Sequence, residues 1–547
     1  MENPFHMTSA DRRAIPQPKR APGKQPGGPA AFFLFSIALF GGCLSSICAA
    51  ADRPAEPKSA AASALRSPHI LFAISDDQSA MHVGAYGDPS LNTPAFDRIA
   101  REGVLFRRAH AACPSCTPSR SAILTGQYIW QLEAGGILMG ELSTKFAVFP
   151  RLLEQAGYEI ASTGKTWGPG NLQAGGWRRP PTGRQFDNKK LDAAAPGLSN
   201  VDYAANFADF LATRDPAKPF CFWFGSSEPH QSYDVGAWRK AGKQLADARL
   251  PGYLPDDEVV RGELLDYGLE IEHFDLHLAR MLKLLDDAGL LPETLVIVTS
   301  DHGNPLPRAK CNLYNAGTQV PLAIRWPGRI PANRQRDEFV SLVDIAPTIL
   351  EAAGLEIPST MTGRSLWPLL RRDDPQQLDP TRDFAVTAFE RHTICRREGS
   401  GYPMRCIRTK EYAYIRNYEP ARWPAGDPDF YAAPQGFFGD VDRGATKSFM
   451  IARSQDPQWA HAFRLAFGRR PAEELYDVQA DVDEVHNLAD NPEFAAVKTK
   501  LAARLDQFLQ TTHDPRAAGH SPWDYYPYHS PGIFENPRWR TEGAALP

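Results

Sequence analysis

What this chain lacks narrows the reading first. Cysteine is sparse, eight in 547 residues and without regular spacing, so a disulfide framework does not hold the fold. No long basic block occurs and the formal net charge is −4, which excludes a protein that holds nucleic acid or another polyanion by charge alone. A second C-x-x-C or a histidine pair at ligand spacing is missing, so Cys113 and Cys116 are not half of a structural zinc site. Only residues 30–52 are apolar enough to cross a bilayer, and no internal repeat is present. What is there, 43% apolar and 23% charged residues, is the balance of a globular protein long enough for a large core and more than one unit.

The apolar run AAFFLFSIALFGGCLSSICAAAD follows Arg12, Arg13, Lys19, Arg20 and Lys24 and closes on the small residues Ala49 and Ala51. A basic flank, an apolar centre and a small-residue end describe a secretory signal peptide over 1–51, hence export to a periplasmic or extracellular space. Gly41 and Gly42 weaken the alternative of a retained membrane anchor. Residues 52–67, rich in alanine with two prolines, read as a linker. Cys43 and Cys48 leave with the signal; Cys395 and Cys406 stay as a pair that an oxidising compartment would allow to join.

From residue 68 onward, short apolar runs alternate with helical patterns. HILFAIS (69–75), YEIASTG (158–164), PFCFWFG (219–225) and TLVIVTSD (294–301) read as buried strands. TPAFDRIAREG, VFPRLLEQAG, YAANFADFLATR, GLEIEHFDLHLARMLKLLDDAG and VSLVDIAPTILEAAG (340–354) read as helices, with Gly103 and Gly157 as C-caps of the first two. Alternation of this kind predicts an α/β domain with a largely parallel sheet covered on both faces, here over 68–375. The texture then changes to short strands, loops rich in Pro and Gly and a helix at 493–510, which predicts a smaller α+β C-terminal domain over 376–547.

Ligands of open α/β sheets bind beyond the carboxyl ends of the strands. Asp76, Asp77 and Asp301 fall at such ends. Two like charges ~4 Å apart cost about 4 kcal/mol at an effective dielectric near 20, so carboxylates gathered there require a cation or a proton. They are hard oxygen ligands suited to Ca²⁺ or Mg²⁺, and His302 adjoins the last of them. Taken singly, a DD or DHG after a strand is more often a turn or a cap.

The stretch ACPSCTPSRSAILTGQ (111–126) changes that weighting. Pro118 suits a first helical turn, which sets Cys116 at a helix N-terminus, where free N–H groups and the dipole favour an anion. Arg120, one turn on, reaches back toward the same place. A nucleophile beside carboxylates, a cation and an anion-binding helix end suits attack on a tetrahedral oxyanion. The rival reading of Cys113 and Cys116 is a redox dithiol, which calls for no acidic cluster.

C-T-P-S-R-x-x-x-L-T-G closely resembles the signature of the type I sulfatases, a branch of the alkaline phosphatase superfamily. The resemblance implies an alkaline-phosphatase-like sandwich, one divalent cation (Ca²⁺), and oxidation of Cys116 by a formylglycine-generating enzyme to Cα-formylglycine, whose hydrate is the nucleophile. Cys113 is then incidental. Carried across residue by residue, it makes Asp76, Asp77, Cys116, Asp301 and His302 the metal set and Cys116, Arg120, Lys165, His230 and Lys310 the catalytic set. Lys165 lies in TGKTWG (163–168), His230 in EPH (228–230) and Lys310 in LPRAKCNLY (306–314). Trp167 departs from the pattern, since the family's G-K-x-H has histidine there. It is read either as packing or as a stacking surface for a sugar, with Trp167, His392 and Arg405 as the substrate-binding set.

Within the family, TSDHGNPLPRAKCNLYNAGTQVPL (299–322), SGYPMRCIRTKEYAYIRN (400–417) and ELYDVQADVDEVHNLA (474–489) look like segments of the heparan N-sulfatases. The implied activity is removal of sulfate from N-sulfoglucosamine in heparan or heparin breakdown. The alternatives are an O-sulfatase on another sulfated glycan, such as 6-O-sulfated glucosamine, a phosphonate or phosphate ester hydrolase, and a glycan-binding protein that has lost catalysis. Partners are the sulfated saccharide and the formylglycine-generating enzyme, with no nucleic acid; a homodimer is compatible with the sequence.

Overall fold

The computed structural model describes residues 67–530 apart from 193–194, 373, 375–376 and 433. The expected signal peptide and all but the last residue of the expected linker lie outside the described residues. The described chain lies within one compact unit, Leu65–Pro547.

Eight strands form the main sheet: β1 (His69–Ser75), β2 (Val104–His110), β3 (Glu159–Gly164), β4 (Arg184–Gln185), β5 (Phe220–Gly225), β6 (Thr294–Ser300), β7 (Leu322–Arg325) and β8 (Arg334–Ser341). Their order is β4-β3-β5-β1-β6-β7-β2-β8. β7 runs antiparallel to both neighbours, and the other pairings are parallel. Parallel neighbours need crossovers, and the helices of those crossovers cover both faces. Side chains of β1 show the consequence. Ile70, Phe72 and Ile74 join one apolar cluster, with Phe149 and Ile349, while Leu71 and Ala73 join another, with Phe96, Phe207 and Phe274. A strand with period-two side chains, buried on both sides, reads as a continuous apolar run.

On the first face lie α2 (Cys116–Thr125), α3 (Phe149–Gln155) and α6 (Ile345–Ala352); on the second lie α1 (Pro94–Glu102), α4 (Tyr203–Thr213) and the long α5 (Glu258–Asp287). Asp202 and Asp257 cap α4 and α5 through their side chains, satisfying N–H groups the helices leave free. A second sheet, antiparallel throughout, orders β12 (Glu473–Asp477), β11 (Tyr412–Asn417), β10 (Met404–Thr409) and β9 (Phe384–Phe389). α8 (Ala495–Thr511) packs Leu501, Leu505 and Leu509 into the cluster that this sheet shares with Ile407 and Ile415. Between β11 and β12, α7 (Ala445–Ala452) follows a loop that returns to the main sheet's site.

The α/β sheet with a smaller α+β part is as expected, and several details differ. Residues 340–354 are not one helix: Val340 and Ser341 finish β8, a 3-10 turn covers Leu342–Asp344, and α6 begins at Ile345. Gly157 has the expected left-handed φ, 95°. Gly103 does not, with φ −147°; a Cβ there would stand 2.1 Å from the Ile324 carbonyl oxygen, so the residue serves close approach to β7. Cys395 and Cys406 are separate free thiols, as are Cys113 and Cys116.

Candidate active site

Register performs the first step of assembly. Ser75 pairs with Ser300, so the chain leaving β1 at Asp76-Asp77 and the chain leaving β6 at Asp301-His302 start side by side. Asp77 takes a φ of 70°, and its N–H donates to Asp301 Oδ1 at 3.1 Å. The His302 N–H donates to the same oxygen at 2.9 Å. All four side chains are buried.

α2 supplies the second step. Cys116 is its first residue, and Sγ lies 3.4 Å from His302 Nε2. The N-cap Ser115 does not cap the helix through its side chain; its Oγ lies 2.8 Å from His392 Nδ1. Arg120, one turn on and fully buried, donates from Nε to Asp301 Oδ2 at 2.8 Å and from one terminal nitrogen to the carbonyls of Lys165 and Thr166. Its other terminal nitrogen has no hydrogen-bond partner and stands 3.6 Å from Asp76 Oδ1. Ser119 Oγ donates to the Asp301 carbonyl oxygen at 2.5 Å, tying the helix to the loop after β6.

Gly164 pairs with Gly225 at the ends of β3 and β5. A Cβ on Gly225 would sit 1.7 Å from the Lys165 carbonyl oxygen, so only glycine lets the chain turn there and deliver Lys165. The Lys165 ammonium pairs with Asp76 Oδ2. On the opposite side Lys310 donates to Asp77 Oδ2 at 2.8 Å, to Asp442 Oδ2 at 2.6 Å and to His230 Nε2 at 3.1 Å. The His230 Nδ1 stands 2.7 Å from the Gln231 carbonyl oxygen, which leaves Nε2 as the acceptor from Lys310.

The charges decide one another. Burial pushes the Asp76 carboxyl up, against the opposing pull of Lys165 and Arg120. Burial also opposes ionisation of Asp77, but the charges of Lys310 and His302 hold its carboxyl well below the usual range. Burial disfavours charge on His302 as well, yet the carboxylates of Asp301 and Asp77 raise its imidazole well above the ordinary value. Burial and the charge of Lys310 lower His392 to about 4, which keeps it neutral.

A cation fits this donor set. The buried Oδ1 atoms of Asp76 and Asp77 are met within the chain only by ion pairs, Arg120 at 3.6 Å and His302 Nε2 at 3.0 Å, so both keep lone pairs that a cation would satisfy. Ligand atoms of Asp76, Asp77, Cys116 and His302 all lie within 4.8 Å of one another. Asp301, expected in the metal set, stands beside this group with Oδ1 3.9 Å from His302 Nε2, while its other oxygen is engaged by Arg120.

The structure places two of the three expected substrate contacts in the interior, Trp167 in the packing role that was its alternative reading. Trp167 is fully buried in the main core, and its Nε1 donates to Ser121 Oγ at 2.7 Å. The loop after Lys165 folds inward beneath α2, with Thr117 Oγ1 donating to the Pro169 carbonyl oxygen at 2.5 Å, so the indole offers no face to a sugar. Arg405 is buried on β10, paired with Asp514 and Glu390, and ties the turn after α8 to the small sheet. His392 does lie beside the site, behind Ser115. Asp442 is the residue that sequence reasoning missed. Its GDVDRG context carries no signature, and only the fold brings it to Lys310.

Comparison with known proteins gives this geometry its family. The sulfatase family model matches residues 68–355, more than half of the chain. The chain belongs to the sulfatase family. Residues 309–427 also match the model described as N-sulphoglucosamine sulphohydrolase, C-terminal. Among relatives, an ulvan-active sulfatase of Formosa agariphila is 29% identical over 82% of this chain and 81% of its own length. The human N-sulphoglucosamine sulphohydrolase is 29% identical over 82% of this chain and 91% of its own. A solved structure described as a complex with its substrate, D-glucosamine-2-N,6-O-disulfate, superposes with a TM-score of 0.61 at 21% identity, covering 83% of this chain and all of that one. This sulfatase is therefore a sulfate ester hydrolase, with the acidic cluster at β1 and β6 as its candidate centre. No described helix is long and apolar enough to cross a membrane.

Proposed function

We propose that the chain is a formylglycine-dependent sulfamidase that takes the N-sulfate from a terminal N-sulfoglucosamine. The observation that carries this reading is the match of residues 309–427 to the N-sulphoglucosamine sulphohydrolase C-terminal model, because that segment includes Lys310 and His392, which border the Cys116 site. Asp76, Asp77, His302 and an oxygen at position 116 are the donors to hold Ca²⁺, with Asp301 next to them. Bound there, the ion is a Lewis acid that polarises a sulfuryl oxygen and lowers the pKa of a hydroxyl. A hydrated aldehyde at position 116 supplies a nucleophilic hydroxyl and a second one whose deprotonation expels sulfate.

The chain's own side chains do the rest. Asp301, held by Arg120 and two backbone N–H groups, is the base beside the nucleophile. Lys165 and the free terminal nitrogen of Arg120 face the carboxylates that ring the sulfate position and stabilise charge on its oxygens. The leaving amine takes its proton on the side of His230 and Lys310. A modest net charge of −4 suits an enzyme that takes one terminal sugar over one that tracks a polyanion. Division of the chain near residue 375 and export through residues 1–51 belong to the same proposal; N-terminal sequencing of mature protein tests the second.

The test is sulfate release by protein coexpressed with a formylglycine-generating enzyme. N-sulfoglucosamine is compared with 6-O-sulfated N-acetylglucosamine, with Cys116→Ala as control. Preference for the first, lost in the control, is expected. Preference for the second keeps the sulfatase chemistry and overturns the sulfamidase assignment.

A further inference from the structure

Lys310 is held in an unusual way. An ammonium has three N–H groups, and here they reach Asp77 Oδ2 at 2.8 Å, Asp442 Oδ2 at 2.6 Å and His230 Nε2 at 3.1 Å. The Asp77, His230 and Asp442 ligand atoms lie within 4.8 Å of one another, the spacing of a small cation site, and the lysine nitrogen fills it. Two carboxylates compete for this one charge. Asp77 belongs to the candidate metal set; Asp442 does not, and its oxygen also stands 3.8 Å from His230 Nε2.

The loop that carries Asp442 is braced on both sides. Asp440 accepts from the Thr393 N–H and hydroxyl and pairs with Arg396. Lys447 donates to the Val441 carbonyl oxygen at 2.7 Å. Glu263 of α5 accepts from the first N–H groups of α7, at Ala445 and Thr446. The carboxylate is therefore presented from a fixed backbone, as a positioning group has to be. Of the three partners of Lys310, only His230 is substantially exposed, with 34% of its side chain open against 10% for Asp442 and none for Asp77.

We propose that Asp442 is a positioning residue for the leaving group. It holds Lys310 away from full capture by Asp77 and so keeps the third N–H of Lys310 on His230 Nε2, a Lys310–His230 relay that ends at the open side of the site. As the S–N bond of a sulfamate breaks and the new O–S bond forms at position 116, the bonding pair stays on nitrogen. That nitrogen takes one proton, which Lys310 supplies through His230 Nε2, and the proton that Asp301 removed from the nucleophile returns to Lys310 through water. This inference rests on the sulfatase reading above.

The experiment compares the wild type with Asp442→Asn and Asp442→Glu, each coexpressed with a formylglycine-generating enzyme. One substrate is N-sulfoglucosamine, whose amine departs poorly without a proton; the other is nitrophenyl sulfate, whose phenolate departs without one. Thermal midpoint and formylglycine content at position 116 are measured for every variant. Loss of general-acid assistance is worth roughly 10²-fold or more, so Asp442→Asn is expected to lower kcat on the sugar by about that factor at nearly constant KM. On the aryl ester it should change kcat by less than about threefold on the same reasoning, and Asp442→Glu should recover part of the loss. Equal losses on both substrates, or none on either, overturn the positioning role while the sulfatase reading stands. A wild type with full formylglycine that is silent on both substrates overturns that reading and this inference with it.

Discussion

The imidazole of His302 stands 3.4 Å from the Cys116 sulfur and 3.0 Å from Asp77 Oδ1. This single side chain joins the first turn of α2 to the carboxylates at the end of β1. The His302 Nδ1 lies 3.1 Å from the Gly303 carbonyl oxygen, and a proton shared there would aim Nε2 into the acidic cluster. A nitrogen ligand beside the Asp76 and Asp77 carboxylates sets the first prediction.

Removal of divalent cations should lower the thermal midpoint of the folded protein, and added Ca²⁺ should restore it. An ion that binds only the native state stabilises it by about 2.7 kcal/mol at a hundredfold excess over Kd. Asp77→Asn should abolish the Ca²⁺-dependent shift. Differential scanning fluorimetry with and without chelator measures it, and a midpoint indifferent to Ca²⁺ would contradict the site.

Arg120→Lys should damage stability and turnover together. The guanidinium spans Asp301 and the Lys165 and Thr166 carbonyl oxygens from a position with no solvent exposure. An ammonium cannot reproduce that fork, and breaking a buried pair costs about 3–5 kcal/mol. Urea unfolding of the variant, alongside sulfate release, reads both effects.

Trp167→Phe should lower stability by about 1–3 kcal/mol, because Ser121 Oγ loses its buried donor. KM for a sugar substrate should be unchanged. A rise in KM without loss of stability would restore the stacking role that burial argues against.

Glu270 gives a pH prediction away from the centre. Both of its carboxyl oxygens are buried without a hydrogen-bond partner, and burial, reinforced by Glu228, raises its pKa from 4.5 to about 9. The native state therefore holds a proton that the unfolded chain gives up above 4.5. The associated stability is fully present below that value and is lost as pH rises toward 9, with a slope of at most about 1.4 kcal/mol per pH unit. Glu270→Gln should flatten this part of the profile, read from urea unfolding at pH steps across the window.

Legibility in the sequence followed burial and length: β7 is fully buried, yet its four residues are too few to show a run. The four strands read from the sequence are the central ones, β3, β5, β1 and β6, where both faces are covered and the apolar run is unbroken. The outer strands escaped. β2 carries Arg107 and Arg108, and β8 reads RQRDEFVS, because an outer strand exposes part of its surface and admits charge. α5 begins ten residues before the apolar pattern that marked it, at the Asp257 cap.

By itself the sequence determined the chemistry at the strand ends. The residue types in DDQ, CTPSR, GKT, EPH, SDHG and PRAK, each following a strand or opening a helix, carry the acidic cluster, the helix N-terminus and the cations, because backbone geometry brings strand ends together in any sheet of this kind. Tertiary structure alone decided which way Trp167 turns, that Arg405 pairs within the small domain, and that Asp442, 132 residues beyond Lys310, meets it at the site. Those outcomes depend on how loops from distant segments pack over one another, and local propensity holds no information about contacts of that range.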